Sequence, residues 1–133
     1  MALLIGASLA FAVGLMARAV GLDRDRAFYP SVMIVVASYY CLFAVMGAST
    51  LVLGLETLVA AAFIAAAIWG FKVSLWVVVV ALAAHGVFDL THGELIANPG
   101  VPRFWPDFCS TYDVVAAAFL AWLLKSRRLR AVT

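Results

Sequence analysis

Leu75-Trp76-Val77-Val78-Val79-Val80-Ala81-Leu82-Ala83-Ala84-His85-Gly86-Val87-Phe88-Asp89-Leu90-Thr91-His92 is the stretch on which the reading of this chain turns. Its apolar start has the character of a segment that crosses hydrocarbon, which takes about 20 residues at about 1.5 Å rise each. Its end carries two imidazoles and a carboxylate. Ionisable groups are expensive inside a membrane, at least about 2.5–3.5 kcal/mol for Asp near the centre, and persist there when paired or functional.

The rest of the chain agrees with the apolar half of that stretch. Of its 133 residues, 67% are hydrophobic and 12% charged, and the mean hydropathy is +1.11. Soluble domains are roughly 45–50% apolar and about 25% charged, so this chain lacks the polar surface to face water. The expected fold is all-α: residues 1–133 form one polytopic transmembrane helix bundle. The spans are expected at roughly 2–20, 31–49, 51–70, 73–92 and 110–125. Gly21 to Arg26 forms the first break, closed by Pro30 at a helix start; Gly47-Ala48-Ser49-Thr50 is the second, and Gly70-Phe71-Lys72 a tight turn. The prolines from Pro99 to Pro106 mark one long loop. No Lys or Arg precedes Arg18, so the N-terminal block reads as a retained span and not as a signal peptide.

Charge placement orients the five spans. Arg18, Arg24 and Arg26 border the first loop, Lys72 the third, and Lys125, Arg127, Arg128 and Arg130 the tail, so only Arg103 of the nine cations falls on the other side. The positive-inside rule then puts the N-terminus outside and the C-terminus in the cytoplasm, as for a multi-pass protein of a bacterial inner membrane. The basic tail is a juxtamembrane pattern without aromatic interleaving, which argues against nucleic acid as a partner. Two cysteines, Cys41 and Cys109, are too few for a disulfide framework. Gly6, Ala10 and Gly14 form a small-residue stripe for close helix contact, and the Ala60–Ala62 and Ala65–Ala67 runs suit tight packing.

With that orientation, Glu56, Asp89, Glu94, Asp107 and Asp113 all fall in the outer half or the outer loop, together with His85 and His92. Cations alone set the orientation, so this clustering is independent of it. His85, Asp89 and His92 stand at i, i+4 and i+7 and share one helical face, with Gly93 as the expected cap. Glu56, a few residues into the third span, reaches a depth similar to Asp89, and Asp113 sits near the outer start of the fifth span, so one site can collect all five groups, with Glu56, His85, Asp89 and Asp113 as candidate catalytic residues. Two imidazoles and carboxylates on converging helices can bind a divalent ion such as Zn²⁺ through His85, Asp89 and His92. Such an ion acidifies water for hydrolysis, with Glu56 as base. Without metal, His85 and Asp89 can shuttle a proton as an isomerase requires. The bland alternative is a hydrogen-bonded packing network. His-x3-Asp-x2-His is no established zinc signature.

Ser110-Thr111-Tyr112-Asp113 reads as a capping box for the fifth helix, a competing role for Asp113. Trp105, Phe104 and Phe108 read as outer-interface aromatics, and Trp69 and Trp122 as inner ones. The Pro102–Pro106 loop could lid the polar cluster, and Cys109 within it reads as an inert thiol or a soft ligand. Ser38, Tyr39 and Tyr40 place hydroxyls mid-span, to bridge helices or line a cavity. Asp23 to Arg26 reads as a solvated turn of mutual ion pairs.

The segments Asp23-Arg24-Asp25-Arg26-Ala27-Phe28-Tyr29-Pro30 and Gly100-Val101-Pro102-Arg103-Phe104-Trp105-Pro106-Asp107-Phe108-Cys109, with the His85/Asp89/His92 segment, resemble small bacterial multi-pass membrane proteins of unknown function. The resemblance covers most of the chain and implies no activity. The His85–Asp89 spacing is also similar to the His-x3-carboxylate pair of the five-span emopamil-binding-protein-like sterol isomerases, whose further motifs are not matched. Alkaline ceramidase-like hydrolases share only the chemistry of His and Asp holding zinc near a membrane face, on seven spans with three histidines. Three functions follow as expectations. The first is a membrane-embedded enzyme, a metal-assisted hydrolase or an acid–base isomerase, acting on membrane lipid or another hydrophobic small molecule. The second is a small oligomeric transporter or ion pathway, and the third an accessory subunit of a larger membrane complex.

Overall fold

Five helices, each long and apolar enough to cross a bilayer, make up most of the chain: α1 (Ala2–Val20), α2 (Phe28–Gly47), α3 (Thr50–Lys72), α4 (Leu75–Leu95) and α5 (Trp105–Lys125). The computed structural model describes residues 1–132, and no strand occurs among them. This is a multi-pass membrane protein. At about 1.5 Å per residue each helix is about 30 Å long, the thickness of the hydrocarbon core.

Helix ends differ from the sequence reading where a proline or glycine was given too much weight. α5 begins at Trp105, several residues before the expected start, with Pro106 in its first turn. A proline there loses no hydrogen bond, because the first N–H groups of a helix have no internal acceptor. The Ser110–Asp113 box therefore lies inside the helix and caps nothing. α4 runs through Gly93 to Leu95, where the Ile96 amide donates to the His92 carbonyl at 2.8 Å. α3 likewise continues through Gly70-Phe71-Lys72, and the turn falls at Val73-Ser74. Ser49 and Ser74 cap α3 and α4, their hydroxyls accepting from Val52 and Trp76 amides at 3.3 and 3.4 Å. Gly21, with φ 84°, ends α1 in the left-handed conformation that glycine tolerates.

Packing order departs from chain order. α1 lies along α5, α5 along α4, α4 along α3, and α3 along α2, so α1 packs on α5 and not on its sequence neighbour. Gly6, Ala10, Gly14 and Ala17 form the buried face of α1, as the small-residue stripe predicts. A Cβ on Gly6 would collide with the Phe108 carbonyl and the Thr111 hydroxyl. Thr111 fastens the contact by donating to the Leu3 carbonyl at 2.9 Å. In the alanine runs of α3, only Ala60 and Ala67 are buried. Trp105 turns inward against Tyr39 and Phe43, with ring centroids 4.7 and 5.0 Å away, whereas Phe104 remains exposed.

The first loop is no set of mutual ion pairs: Arg24 and Asp25 are exposed, but Asp23 and Arg26 turn to partners outside the run. Asp23 is fully buried, 3.4 Å from Arg18. The Arg26 guanidinium donates to three carbonyls, those of Phe71 at 2.9 Å, Arg130 at 3.0 Å and Ala131 at 2.8 Å. The Leu75 amide also donates to Ala131, at 2.9 Å. One end of the bundle thus gathers the first loop, the α3–α4 turn and the C-terminal tail. At the other end, Asn98 donates to the Tyr40 carbonyl at 3.2 Å, which draws the 96–104 loop over α2.

Arg26→Ala removes three charge-assisted bonds that join segments distant in sequence. It is expected to lower unfolding free energy by about 1–3 kcal/mol and to speed hydrogen exchange at the Leu75 amide. Exchange and thermal unfolding of the protein in detergent check this, and wild-type values for both would refute the clamp.

Candidate metal centre and its polar surroundings

α4 supplies three buried polar side chains from one face, His85, Asp89 and His92. Because α4 continues to Leu95, His85 lies about 15 Å from that helix end, close to mid-span. The neighbouring helices bring their own polar groups to the same half of the bundle. Glu56 comes from α3, Tyr40 from α2, and Cys109, Ser110 and Asp113 from α5, all buried. Gly86 allows this approach, since a Cβ there would press on the Ser110 carbonyl and Val114 at 3.0 Å.

These groups form two assemblies. In the deeper one, His85 Nδ1 is hydrogen-bonded to Asp113 Oδ2 at 2.6 Å and stands 3.5 Å from Asp89 Oδ2. His85, Asp89, Cys109 and Asp113 each present a ligand atom, all within 4.8 Å of one another. In the other assembly, His92 Nε2 is hydrogen-bonded to Glu56 Oε1 at 2.7 Å, and Asn98 Nδ2 donates to the same oxygen at 2.9 Å. Tyr40 joins the two. Its hydroxyl donates to Asp89 Oδ1 at 2.7 Å, while its ring stacks on His92 with centroids 3.8 Å apart and an interplanar angle of 14°.

The expected ligand trio His85, Asp89 and His92 does not converge on one point. Seven residues of α-helix separate the two histidines by about 10 Å along the axis. Ligands about 2.0–2.3 Å from one zinc ion must lie within about 4–5 Å of each other. His92 is taken by Glu56 instead, and its place beside His85 and Asp89 is filled by Cys109 and Asp113. Cys109, expected in the long loop, lies in α5, whose earlier start turns it into the bundle. Asp113, which the capping reading drew away, is the direct partner of His85. Of the mid-span hydroxyls, Tyr40 bridges helices, Tyr39 lines a groove, and Ser38 bonds back to the Ile34 carbonyl of its own helix at 2.6 Å.

The donor set fits a divalent ion. Asp89 Oδ2 and Asp113 Oδ1 are buried without a hydrogen-bond partner, beside an imidazole nitrogen and a thiol. Leaving a buried acceptor unsatisfied costs about 1–3 kcal/mol, more for a charged group, which coordination would recover. One nitrogen, one sulfur and carboxylate oxygens within this spacing match the ligands zinc takes. A pocket of about 590 Å³ beneath the 96–106 loop reaches His92 and Asn98, with Arg103 and Pro106 on its rim. A second, apolar groove of about 400 Å³ reaches Cys109 from the side. No protein family, characterised protein or solved structure matches this chain.

Tyr40→Phe keeps the ring on His92 and strips Asp89 Oδ1 of its donor. The expected cost is about 1–3 kcal/mol in stability. Thermal unfolding measures it, and Asp89→Asn in the Tyr40→Phe background should recover part of the loss by removing the charge. An unchanged Tyr40→Phe midpoint would count against the link between the two assemblies.

Proposed function

We propose that this protein is a membrane-embedded enzyme that holds a divalent metal at His85, Asp89, Cys109 and Asp113 and acts on a lipid or another hydrophobic substrate. The observation that carries this reading is the convergence of four ligand atoms within 4.8 Å in the interior of a membrane bundle, two of the carboxylates having an unpartnered oxygen. Ionisable groups at that depth are retained against a cost of several kcal/mol. A bound ion supplies Lewis acidity at this position. Tyr40 fixes Asp89 through Oδ1 and leaves Oδ2 to hold the ion or accept a proton. Glu56, held by His92 and Asn98 on the far side of Tyr40, forms the adjoining acid–base pair, and both of its partners line the pocket at the loop.

The 2.6 Å bond between His85 and Asp113 favours a second version, in which the pair transfers a proton without metal, as in an isomerase. A transporter is less well supported. In the cation-rich half of the bundle the buried positions of α4 are Leu75, Val78, Ala81 and Leu82, and those of α5 are Ala116, Ala117, Phe119, Leu120, Leu123 and Leu124, all apolar. Conduction needs polar groups across both halves. The cationic end of the bundle supports a cytoplasmic C-terminus in a bacterial inner membrane.

Elemental analysis of the purified protein tests the metal version. About one zinc or similar ion per chain is expected, with strong loss in His85→Ala and Cys109→Ala and retention in Glu56→Gln. A metal-free wild type would refute the metal version. The enzyme reading as a whole falls if His85→Ala and Asp89→Ala leave unchanged a lipid turnover that the wild type displays.

A further inference from the structure

α1 and α2 are neighbours in sequence yet stand apart, each packed on a different helix. The gap between them is a groove of about 400 Å³, walled by Leu9 of α1 and by Val32, Val35 and Tyr39 of α2, with Phe108 and Cys109 on its α5 side. Both walls belong to membrane-crossing helices. Leu9 and Val35 are 44% and 53% exposed, so the groove opens sideways onto lipid and not onto water. Its lining is almost wholly apolar.

The dimensions select the occupant. The groove lining runs along α2 from Phe28 to Tyr39, an advance of about 16 Å. Even its whole open space of about 870 Å³, divided over that length, gives a cross-section of at most about 50 Å², against about 80 Å² for a helix some 10 Å across. A helix of a second copy or of a partner does not fit. One extended alkyl chain does.

The groove is also continuous with the chemistry. Cys109 is both a lining residue and one of the four groups of the metal cluster. Most of the polar-tipped side chains of the lining, Tyr39, Tyr112 and Trp105, stand with Cys109 at that end, and Ser31 stands at the other. The Trp105 indole N–H is buried without an acceptor. We infer that this groove is the binding site for one alkyl chain of an acyl-bearing amphiphile, seated so that the polar linkage at the head of the chain lies beside Cys109. Calling that amphiphile the substrate rests on the enzyme reading above; the chain site itself rests on the groove. Since lipid tails are as apolar as the groove walls, preference for this site comes from fit and from the polar end, not from hydrophobic transfer.

The full-length protein in phosphatidylcholine nanodiscs, labelled with a palmitoyl lysophosphatidylcholine carrying a diazirine in its chain, provides the test. Adducts mapped by mass spectrometry should concentrate at Leu9, Val35 and Tyr39. They should fall roughly tenfold, about 1.4 kcal/mol, in both Leu9→Trp and Val35→Trp. These half-exposed positions accept a larger side chain without disturbing the core, and Val80→Trp on the far face of α4 should change nothing. Metal content should be equal in all these proteins. Adducts spread evenly over lipid-facing residues such as Leu58 and Val80, or indifferent to both groove substitutions, would overturn the chain site. Groove-specific labelling of a protein without metal would uphold the chain site while removing the metal reading.

Discussion

A charged side chain inside hydrocarbon needs a partner, and the partner must come from another helix if it is to hold the bundle together. This protein places most of its acid–base groups under that constraint in one half of the fold. His85 pairs with Asp113, Asp89 with Tyr40, and His92 with Glu56 and Asn98. Each bond crosses between elements, so the polar groups that make the interior expensive also fix how α2, α3, α4 and α5 meet. α1 takes no part in this network. It relies on small residues, Gly6, Ala10 and Gly14, and on the Thr111 bond to Leu3 to lie against α5, while the Arg26 clamp closes the opposite end of the bundle.

Tyr40 has the most demanding position in this arrangement. Its hydroxyl serves Asp89, its ring covers His92, and its carbonyl accepts from Asn98. Two assemblies that look separate by distance are therefore one network, with a phenol at the junction. For the proposed chemistry this means that a change at the pocket beneath the loop can reach the deeper cluster without any movement of α4.

Much of this was legible in the sequence, because hydrophobic length and charge are sufficient to locate spans. All five helices were expected, and so was the polar role of His85, Asp89, Glu56 and Asp113 in the interior. The errors share a physical origin. Pro106, Gly70 and Gly93 look like breaks, but a proline in the first turn costs no hydrogen bond and a membrane helix tolerates glycine. The start of α5 at Trp105 is therefore hidden in the sequence, and with it the place of Cys109 and Asp113 inside the bundle. A shared helix face does not bring His92 to His85, because the helix rises nearly two turns between them. The sharing of Glu56 between His92 and Asn98 depends on a loop residue whose position no periodicity encodes.

The partner of α1 is α5. During synthesis α1 enters the membrane first, while α5, which covers its glycine face, follows only after three intervening helices. Arg26 waits longer still, for the carbonyls of Arg130 and Ala131 beyond α5. Closure of this bundle is therefore a late event by construction. A chain interrupted before α5 keeps α2, α3 and α4 but leaves His85 without Asp113 and α1 without a companion. Such a fragment displays to the bilayer an imidazole without its carboxylate from α5 and a bare small-residue stripe.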